Sequence, residues 1–237
     1  MTTETASWAR SLIRRGLKVF ASTVTVVVFL GTFFWLAGRT DWPAGWAYVG
    51  LLAAGHTASA LIVWRKNPEV LRRRARIGRG TKTWDKVWLA VFGLIYSAEL
   101  VITALDAGRF GWSSMSGWLW PLGASLYGFF LVVITWAMIV NPHFEKTVRI
   151  QHDRGHRVID TGPYRIVRHP GYLGTIVGFI LSPPLLLGSW WAFVPATLTA
   201  VWMVVRTVFE DRTLRKELAG YEPYARRVRY RLMPGVW

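Results

Sequence analysis

The sequence predicts an all-α, polytopic membrane protein: a helical bundle of about six transmembrane helices, with five as the alternative. Hydrophobic residues make up 52% of the 237 positions, which is a larger share than soluble domains usually have. Several uncharged runs are long enough to cross a hydrocarbon core of roughly 30 Å. The 29 Lys and Arg residues mostly flank these runs, as expected for a chain that crosses a membrane repeatedly.

Six spans are predicted, and the last two are expected to pair. An amphipathic stretch at 8–18 precedes the first span and is expected to lie at the membrane interface. Ser182-Pro183-Pro184 shortens the fifth span, and Gly188-Ser189 turns it into the sixth, so these two are predicted to form a helical hairpin. If that hairpin does not cross fully, the count falls to five. The predicted spans are 19–37, 46–64, 87–105, 118–140, 172–187 and 190–209.

The distribution of basic residues predicts the topology. With both termini in the cytoplasm, the outer loops contain only Arg39 and Arg109, in agreement with the positive-inside rule. Eight Trp residues then lie near the outer interface, which is typical of an aromatic belt. The net charge of +16 thus indicates orientation and contact with anionic lipid rather than a nucleic-acid partner. These Trp residues are Trp35, Trp42, Trp46, Trp112, Trp118, Trp120, Trp190 and Trp191.

One polar loop, residues 155–174, combines residue types suited to a binding site and lies on the predicted cytoplasmic side. Its centre is Arg168-His169-Pro170, with Tyr164 before it and Tyr172 after it. Pro170 restricts His169 to an extended or turn conformation. A basic turn that only contacts lipid phosphate is the alternative.

Charged residues within or beside the spans are the other candidates, because such groups are costly in a membrane unless they are paired. Arg206 and Glu210 are four residues apart, so they share a helix face and are predicted to interact. Asp211 points about 100° away on that helix and ranks second. His56 and Glu99 lie at similar predicted depths, and we expect them to form a structural hydrogen-bonded pair.

No metal site is predicted. His152 and His156 stand four residues apart, and His143 is nearby, but no thiolate or acidic cluster accompanies them. The chain has no Cys, which also excludes disulfides and thiolate catalysis.

Taken in order, a set of motif residues resembles the isoprenylcysteine carboxyl methyltransferase family of integral membrane enzymes. The resemblance covers about residues 141–237, and it is looser to phospholipid N-methyltransferases and to the carboxyl-terminal part of sterol reductases. Residues 1–140 resemble the family only in being apolar. The matching residues are Gly155-His156, Thr161-Gly162-Pro163-Tyr164, Arg168-His169-Pro170, Tyr172, Gly174, Arg206, Glu210-Asp211, Leu214, Gly220-Tyr221, Tyr224, Val228 and Pro234.

The resemblance implies a methyltransferase that uses S-adenosylmethionine. Residues 1–140 would form the lipid-substrate side, and 141–237 a catalytic region facing the cytosol. A lipophilic substrate would enter from the bilayer. Where the family usually has Glu-Glu, this chain has Glu210-Asp211, which leaves the role of the second acid open. The implied catalytic residues are Arg206, Glu210 and Arg168, and the implied cofactor-binding residues are His156, Gly162, Tyr164, His169, Pro170, Tyr172, Gly174, Glu210 and Tyr221.

Carboxyl O-methylation of a prenylcysteine-like or other isoprenoid or lipid acid is the activity that the resemblance favours, and the residues are compatible with it. A carboxylate is already ionised near neutral pH and needs no strong base, and Arg206 would hold it in a bidentate geometry. An amine would need a base, for which Glu210 is the candidate. The alternatives are a phospholipid N-methyltransferase, an NADPH-dependent reductase of the sterol type, and a non-enzymatic membrane protein.

Overall fold

A computed structural model describes residues 20–21, 23–78 and 80–237. Within these residues the chain forms helices and loops without β-strands, so the predicted all-α class is confirmed. A wider π-helical turn, Ala104–Phe110, continues α4, and a second one, Thr175–Ile180, joins α6 toward α7. The α-helices are α1 (Thr23–Ala37), α2 (Pro43–Lys66), α3 (Pro68–Arg74), α4 (Thr83–Thr103), α5 (Leu119–Val140), α6 (Pro170–Gly174), α7 (Ser182–Leu187), α8 (Phe193–Glu217) and α9 (Tyr221–Arg227).

Five helical segments of the described chain are long and apolar enough to cross a membrane. They are α2, Thr83–Phe110, α5, Pro170–Leu187 and α8, and they correspond to the second to sixth predicted spans. The described part of the first predicted span is the shorter helix α1. The beginning of that span and the amphipathic stretch at 8–18 lie outside the described residues.

The fifth span is helical on both sides of its proline pair. Pro183 and Pro184 occupy the first turn of α7, where a missing backbone N–H costs little. Gly188 ends α7 with φ of 81°, and its N–H donates to the carbonyl of Pro184 at 2.9 Å. This turn leads the chain back toward α8, as the predicted hairpin requires.

Close packing of the fifth span against α5 depends on glycines at the contact. A Cβ at Gly178 would overlap the carbonyl oxygen of Leu126 and the Cβ of Phe130, and a Cβ at Gly123 would lie 2.9 Å from the Cβ of Leu185. Small residues of this kind let transmembrane helices approach closely. Meanwhile α8 packs mainly against α4, so the cytoplasmic ends predicted for α4, α5 and α8 are held near one another.

The loop after α4 begins later than predicted because the π-helical turn carries Asp106 into the helix. The buried Asp106 carboxylate accepts from the Ser113 hydroxyl at 2.5 Å and from the Ser189 hydroxyl at 2.6 Å. The Ser113 backbone N–H donates to the same carboxylate at 2.7 Å. These bonds join the loop after α4 to the turn between α7 and α8.

The predicted pair of His56 and Glu99 is wrong. His56 Nδ1 lies 2.7 Å from the Tyr127 hydroxyl and 3.0 Å from the Leu52 carbonyl oxygen. The buried carboxylate of Glu99 has no hydrogen-bond partner among the described residues. Similar depth along two helices did not imply that the two side chains share an interface.

Seven of the eight Trp residues assigned to the aromatic belt are exposed, in keeping with that prediction. Trp42 is the exception, since it is 5% exposed and stacks on Phe33 with ring centroids 5.4 Å apart. It belongs to the core between α1 and α2.

Candidate functional site

A cavity lies between the polar loop, the start of the fifth span, the end of α8 and α9. Its empty volume is about 830 Å³, including space open to solvent. Residues from all four elements contribute to its lining. They include Asn141, His143, Phe144, Gln151, His156, Arg157, Tyr164, Arg168, His169, Pro170, Gly171, Tyr172, Glu210, Leu214, Leu218, Tyr221 and Tyr224.

Buried polar contacts hold the loop wall of the cavity in shape. The Gln151 side chain is 2% exposed, donates to the His143 carbonyl at 2.8 Å, and accepts from Arg154 Nη1 at 3.1 Å. The Asn141 amide donates to the Tyr164 hydroxyl at 3.0 Å. Because each of these groups is satisfied within the loop, the irregular backbone can be buried without a large desolvation cost.

The His-Pro turn, Arg168-His169-Pro170, is bound to the carboxyl-terminal tail through backbone hydrogen bonds. The N–H groups of Arg168 and His169 donate to the carbonyls of Tyr230 and Arg231, each at 2.9 Å. Gly171 follows, and a Cβ there would lie 2.7 Å from the Phe144 ring. The turn therefore lies between the carboxyl-terminal tail and an aromatic wall of the cavity.

Asp211 is the centre of a buried ion cluster behind the cavity. Its carboxylate accepts two bonds from Arg168, at 2.8 and 3.2 Å, and further bonds from Arg231 at 3.0 Å and Arg215 at 3.2 Å. The Tyr221 hydroxyl donates to it at 2.9 Å. Bidentate, charge-assisted bonds of this kind fix both groups in position, so Asp211 joins α8 to the His-Pro turn, α9 and the tail.

Arg168 is also fully committed to the protein. Its Nη1 donates to the carbonyls of Val228 and Arg229 at 2.7 and 2.8 Å, in addition to the two bonds to Asp211. Its side chain is 2% exposed. The structure thus gives Arg168 the contacts of a residue that positions the turn.

Glu210, next to Asp211, faces the cavity instead. It accepts a short hydrogen bond from the Tyr172 hydroxyl, and the Tyr172 ring stacks on His169 with ring centroids 5.5 Å apart. His169 Nε2 is buried and lies 3.5 Å from an Asp211 oxygen, but it forms no hydrogen bond with any described residue.

Arg206 does not pair with Glu210, contrary to the prediction from their spacing. Its guanidinium donates to Asp85 at 2.8 and 3.2 Å and to the Lys146 carbonyl at 2.7 Å. It lies over the rings of Trp88 and Tyr172, at 4.4 and 5.1 Å from their centroids. The buried Asp85 carboxylate also accepts from the Val148 N–H at 2.7 Å. A carboxylate from the start of α4 outcompetes the neighbour one turn away because it reaches two guanidinium nitrogens at once.

Most of the predicted site residues line the cavity, and three do not. Gly162 packs against Trp136, Gly174 packs against Val133, and Arg206 lies at its Asp85 pair behind the Tyr172 ring. These glycines serve close packing on α5 rather than contact with the cavity. The predicted residues that line it are His156, Tyr164, Arg168, His169, Pro170, Tyr172, Glu210 and Tyr221.

Titratable groups in the loop wall are kept neutral near pH 7. Burial lowers the pKa of His156 to about 4 and also lowers the pKa of His143. Burial raises the pKa of Tyr164, Tyr221 and Tyr224 above the ordinary range. Desolvation disfavours the charged form in each case, so this wall offers neutral donors and acceptors.

Asp85 and Gln151 are the important residues that the sequence did not indicate. Asp85 is one acid in a strongly basic segment, and its partner Arg206 is 121 positions away. Gln151 lies next to the loop without any motif around it. The only available signal was that an Arg within an apolar helix needs an acid somewhere in the fold.

The helical spans and the polar cavity at one end of the bundle define, for the described residues, an all-helical membrane protein with a polar site beside its spans. The model of the isoprenylcysteine carboxyl methyltransferase (ICMT) family matches residues 126–216. A solved structure of the eukaryotic intramembrane Ras methyltransferase ICMT has a similar fold, with a TM-score of 0.55 and 17% identity over 95% of this chain and 87% of that chain. Comparison with curated proteins gives no match.

The family match and the shared fold confirm the resemblance carried by the sequence motifs. The chain is an integral membrane protein that resembles the ICMT family over residues 126–216 and shares the fold of a solved ICMT structure.

Proposed function

We propose that the protein is an S-adenosylmethionine-dependent carboxyl O-methyltransferase that acts on a prenylcysteine-like acid or another isoprenoid or lipid acid. The observation that carries the proposal is the cavity itself. It lies where the polar loop meets the ends of two apolar helices, so one side faces polar elements and the other begins inside the bundle. A water-soluble cofactor and a lipid can meet at such a boundary.

The residues of the cavity suit S-adenosylmethionine. Tyr164, Tyr221 and Tyr224 give neutral aromatic surfaces for an adenine ring, and aromatic faces also attract a sulfonium cation. Glu210 is an acid for the ammonium group. The buried Nε2 of His169 has no hydrogen-bond partner in the described part of the chain, and a ligand would satisfy this polar atom. When bound, S-adenosylmethionine supplies an electrophilic methyl group.

The protein's task in this reaction is to orient the acceptor and exclude water. A carboxylate is already ionised, with a pKa of about 4.3 in water, so no residue must remove a proton. Alignment of a nucleophile with the methyl group provides much of the rate increase in such transfers. Glu210 is proposed to contact the ligands, and the hydrogen bond from the Tyr172 hydroxyl fixes its position.

Arg206 is proposed to approach the acceptor head from behind the Tyr172 ring, with Asp85 as its support. Asp85 holds its Nε and Nη2, while its Nη1 has no hydrogen-bond partner in the described part of the chain. One guanidinium nitrogen is therefore available, and the bidentate carboxylate grip expected from the sequence is reduced to a single contact. Arg168 is proposed to act through the turn that it positions.

The proposed orientation follows the basic residues. The cavity and both termini face the cytosol, where the positive-inside rule places the basic loops, and the acceptor enters from the bilayer. Labelling of single cysteines introduced at Arg157 and at Trp112, in sealed vesicles of known orientation, tests this. Equal accessibility of the Arg157 and Trp112 positions from one side would contradict it.

Calorimetry and product analysis test the activity. Purified protein is titrated with S-adenosylmethionine, S-adenosylhomocysteine and NADPH, and is then assayed with isotopically methyl-labelled cofactor against N-acetyl-S-farnesylcysteine, farnesoic acid, palmitic acid and a phosphatidylethanolamine. We expect binding of both adenosyl ligands and a labelled product that releases methanol in base, as a methyl ester does. A base-stable label on the amine lipid would indicate N-methylation, and binding of NADPH alone would indicate a reductase.

A further inference from the structure

A further arginine, Arg74, lies against the Phe144 wall of the cavity and has no ion pair among the described residues. Arg74 is the last residue of α3, a short helix that follows the α2 span directly. Its guanidinium lies 4.9 Å from the centroid of the Phe144 ring, and Phe144 lines the cavity. Its one hydrogen bond in the described chain is a weak one, from Nη1 to the Glu145 carbonyl at 3.5 Å.

The acids near Arg74 are already committed to other arginines. Glu145 accepts two bonds from Arg149, at 2.8 and 2.9 Å, and Glu69 pairs with Arg73 at 2.7 Å. No ion pair to Arg74 occurs among the described residues. By contrast, Arg168 and Arg206 each have a buried aspartate in bidentate contact.

Partial burial of the Arg74 side chain makes this missing partner significant. Desolvation lowers the pKa of the Arg74 guanidinium, and the nearby Tyr172 and Tyr164 act in the opposite direction. Arg74 is thus close to two residues that line the cavity. A desolvated cation without a counterion is costly, and an anion that binds beside it would remove that cost.

The apolar surroundings of α3 indicate which anion this is. Val70, one turn before Arg74, is buried in a cluster with Val63, Phe130 and Ile134, and Phe144 packs against that cluster. An anion at Arg74 would therefore have an apolar surface next to it, as the head of a lipid acid requires. The loop side of the cavity offers a different cation, the exposed Arg157, for the carboxylate of a soluble cofactor.

We propose that Arg74 is a specificity-determining residue that binds the carboxylate of the lipophilic acceptor. The inference rests on the proposed function. It makes Arg74 the main charge for the acceptor head and leaves Arg206, neutralised by Asp85, as a secondary contact. It also predicts a preference for an acidic head over a neutral one of the same shape.

The experiment compares Arg74→Gln and Arg74→Lys with Arg76→Gln, a matched loss of charge from an exposed arginine two positions along. The acceptor is whichever acid of the panel above the wild-type protein methylates fastest, with its carboxamide as a competing ligand. For Arg74→Gln we expect KM for the acid to rise about 10- to 100-fold, the range of a lost charge-assisted hydrogen bond. The lysine variant should recover part of this loss, and Arg76→Gln should resemble wild type.

Three readouts separate a binding role from a structural one. Wild type should bind the acid more tightly than the carboxamide, and Arg74→Gln should lose that preference. The Kd for S-adenosylhomocysteine should change by less than about twofold, a small free energy. The melting temperature should stay unchanged or rise, because the variant removes an unpaired charge.

Two outcomes would overturn the inference while leaving the proposed function intact: an unchanged KM for the acid in Arg74→Gln, or an equal loss of S-adenosylhomocysteine affinity, which would assign Arg74 to the cofactor. A variant that unfolds would also contradict it, since the structure gives Arg74 no ion pair to lose. If wild type methylates no acid of the panel, the proposed function fails and this inference fails with it.

Discussion

Replacing Asp211 with Asn separates the roles of two adjacent acids, Glu210 and Asp211. The Asp211 carboxylate receives bonds from three arginines and one tyrosine and is 1% exposed. An amide keeps one acceptor oxygen but turns an NH₂ group toward guanidinium donors. The substitution therefore leaves buried positive charge without its counterion.

The size of the stability loss in Asp211→Asn depends on which of the three arginines solvent can hydrate once the carboxylate is gone. The Arg215 and Arg231 side chains are 33% and 30% exposed and can hydrate, whereas Arg168 is 2% exposed and cannot. Breaking a buried ion pair from one side costs about 3–5 kcal/mol. Since only one of the three cations is stranded, we expect a loss near the lower end, about 3 kcal/mol.

Thermal unfolding in detergent measures this loss. For a chain of this size about 1 kcal/mol corresponds to roughly 2–4 °C, so Asp211→Asn should melt about 6–12 °C lower than wild type. Asp41→Asn is the control, because Asp41 is 83% exposed in its pair with Arg39 and such pairs contribute less than about 1 kcal/mol.

Glu210→Gln provides the opposite result if the two roles are divided as the structure indicates. Glu210 faces the cavity and pairs with no arginine in the described chain, so the variant should melt close to wild type while losing methyl transfer. If Asp211→Asn melted within about 2 °C of wild type, the ion cluster would not hold the site together. A large loss of stability in Glu210→Gln would refute the division equally.

Two further predictions concern the loop wall and the helix packing. Burial lowers the pKa of His156 to about 4, so the neutral ring stabilises the folded state above the unfolded pKa of about 6.5, and this contribution is lost as the pH falls from there toward 4. His156→Gln should therefore flatten the fall in melting temperature over that pH window. The same substitution at the exposed His152 should not. Gly178→Ala should destabilise the protein by about 1–3 kcal/mol, because its Cβ meets the Leu126 backbone oxygen. Gly128→Ala in α5, with open space around it, should be neutral or stabilising in the same melting assay.

Hydropathy and charge were sufficient to predict the five spans found among the described residues, because the solvent decides which runs can cross a membrane. The loops between the spans are held by contacts between side chains that lie far apart in the sequence, so no local pattern predicts them. Asp106 illustrates this: its bonds to Ser113 and Ser189 join segments up to 83 positions apart, and no local pattern marks them.

Most residues of the site could be predicted from the sequence, but the ion pairs that they form could not. The motif residues around His169 and Glu210 do meet at one cavity. However, helical spacing offered Arg206 only the acid one turn away, whereas the fold brought Asp85 from 121 positions earlier. The same limitation hid Arg74, whose proposed role rests on its lack of an ion pair among the described residues, which only the packed structure reveals.

The Asp85 contacts constrain how this protein can be recombined with its relatives. Asp85 holds Arg206 in α8 and the Val148 N–H in the segment before the polar loop, so a residue of the proposed lipid-substrate region 1–140 is a structural component of the proposed catalytic region 141–237. A chimera that exchanges residues 1–140 in order to change the acceptor would need an acid at the position of Asp85. Without it, the exchange would leave Arg206 unneutralised and would report a damaged site rather than a new specificity.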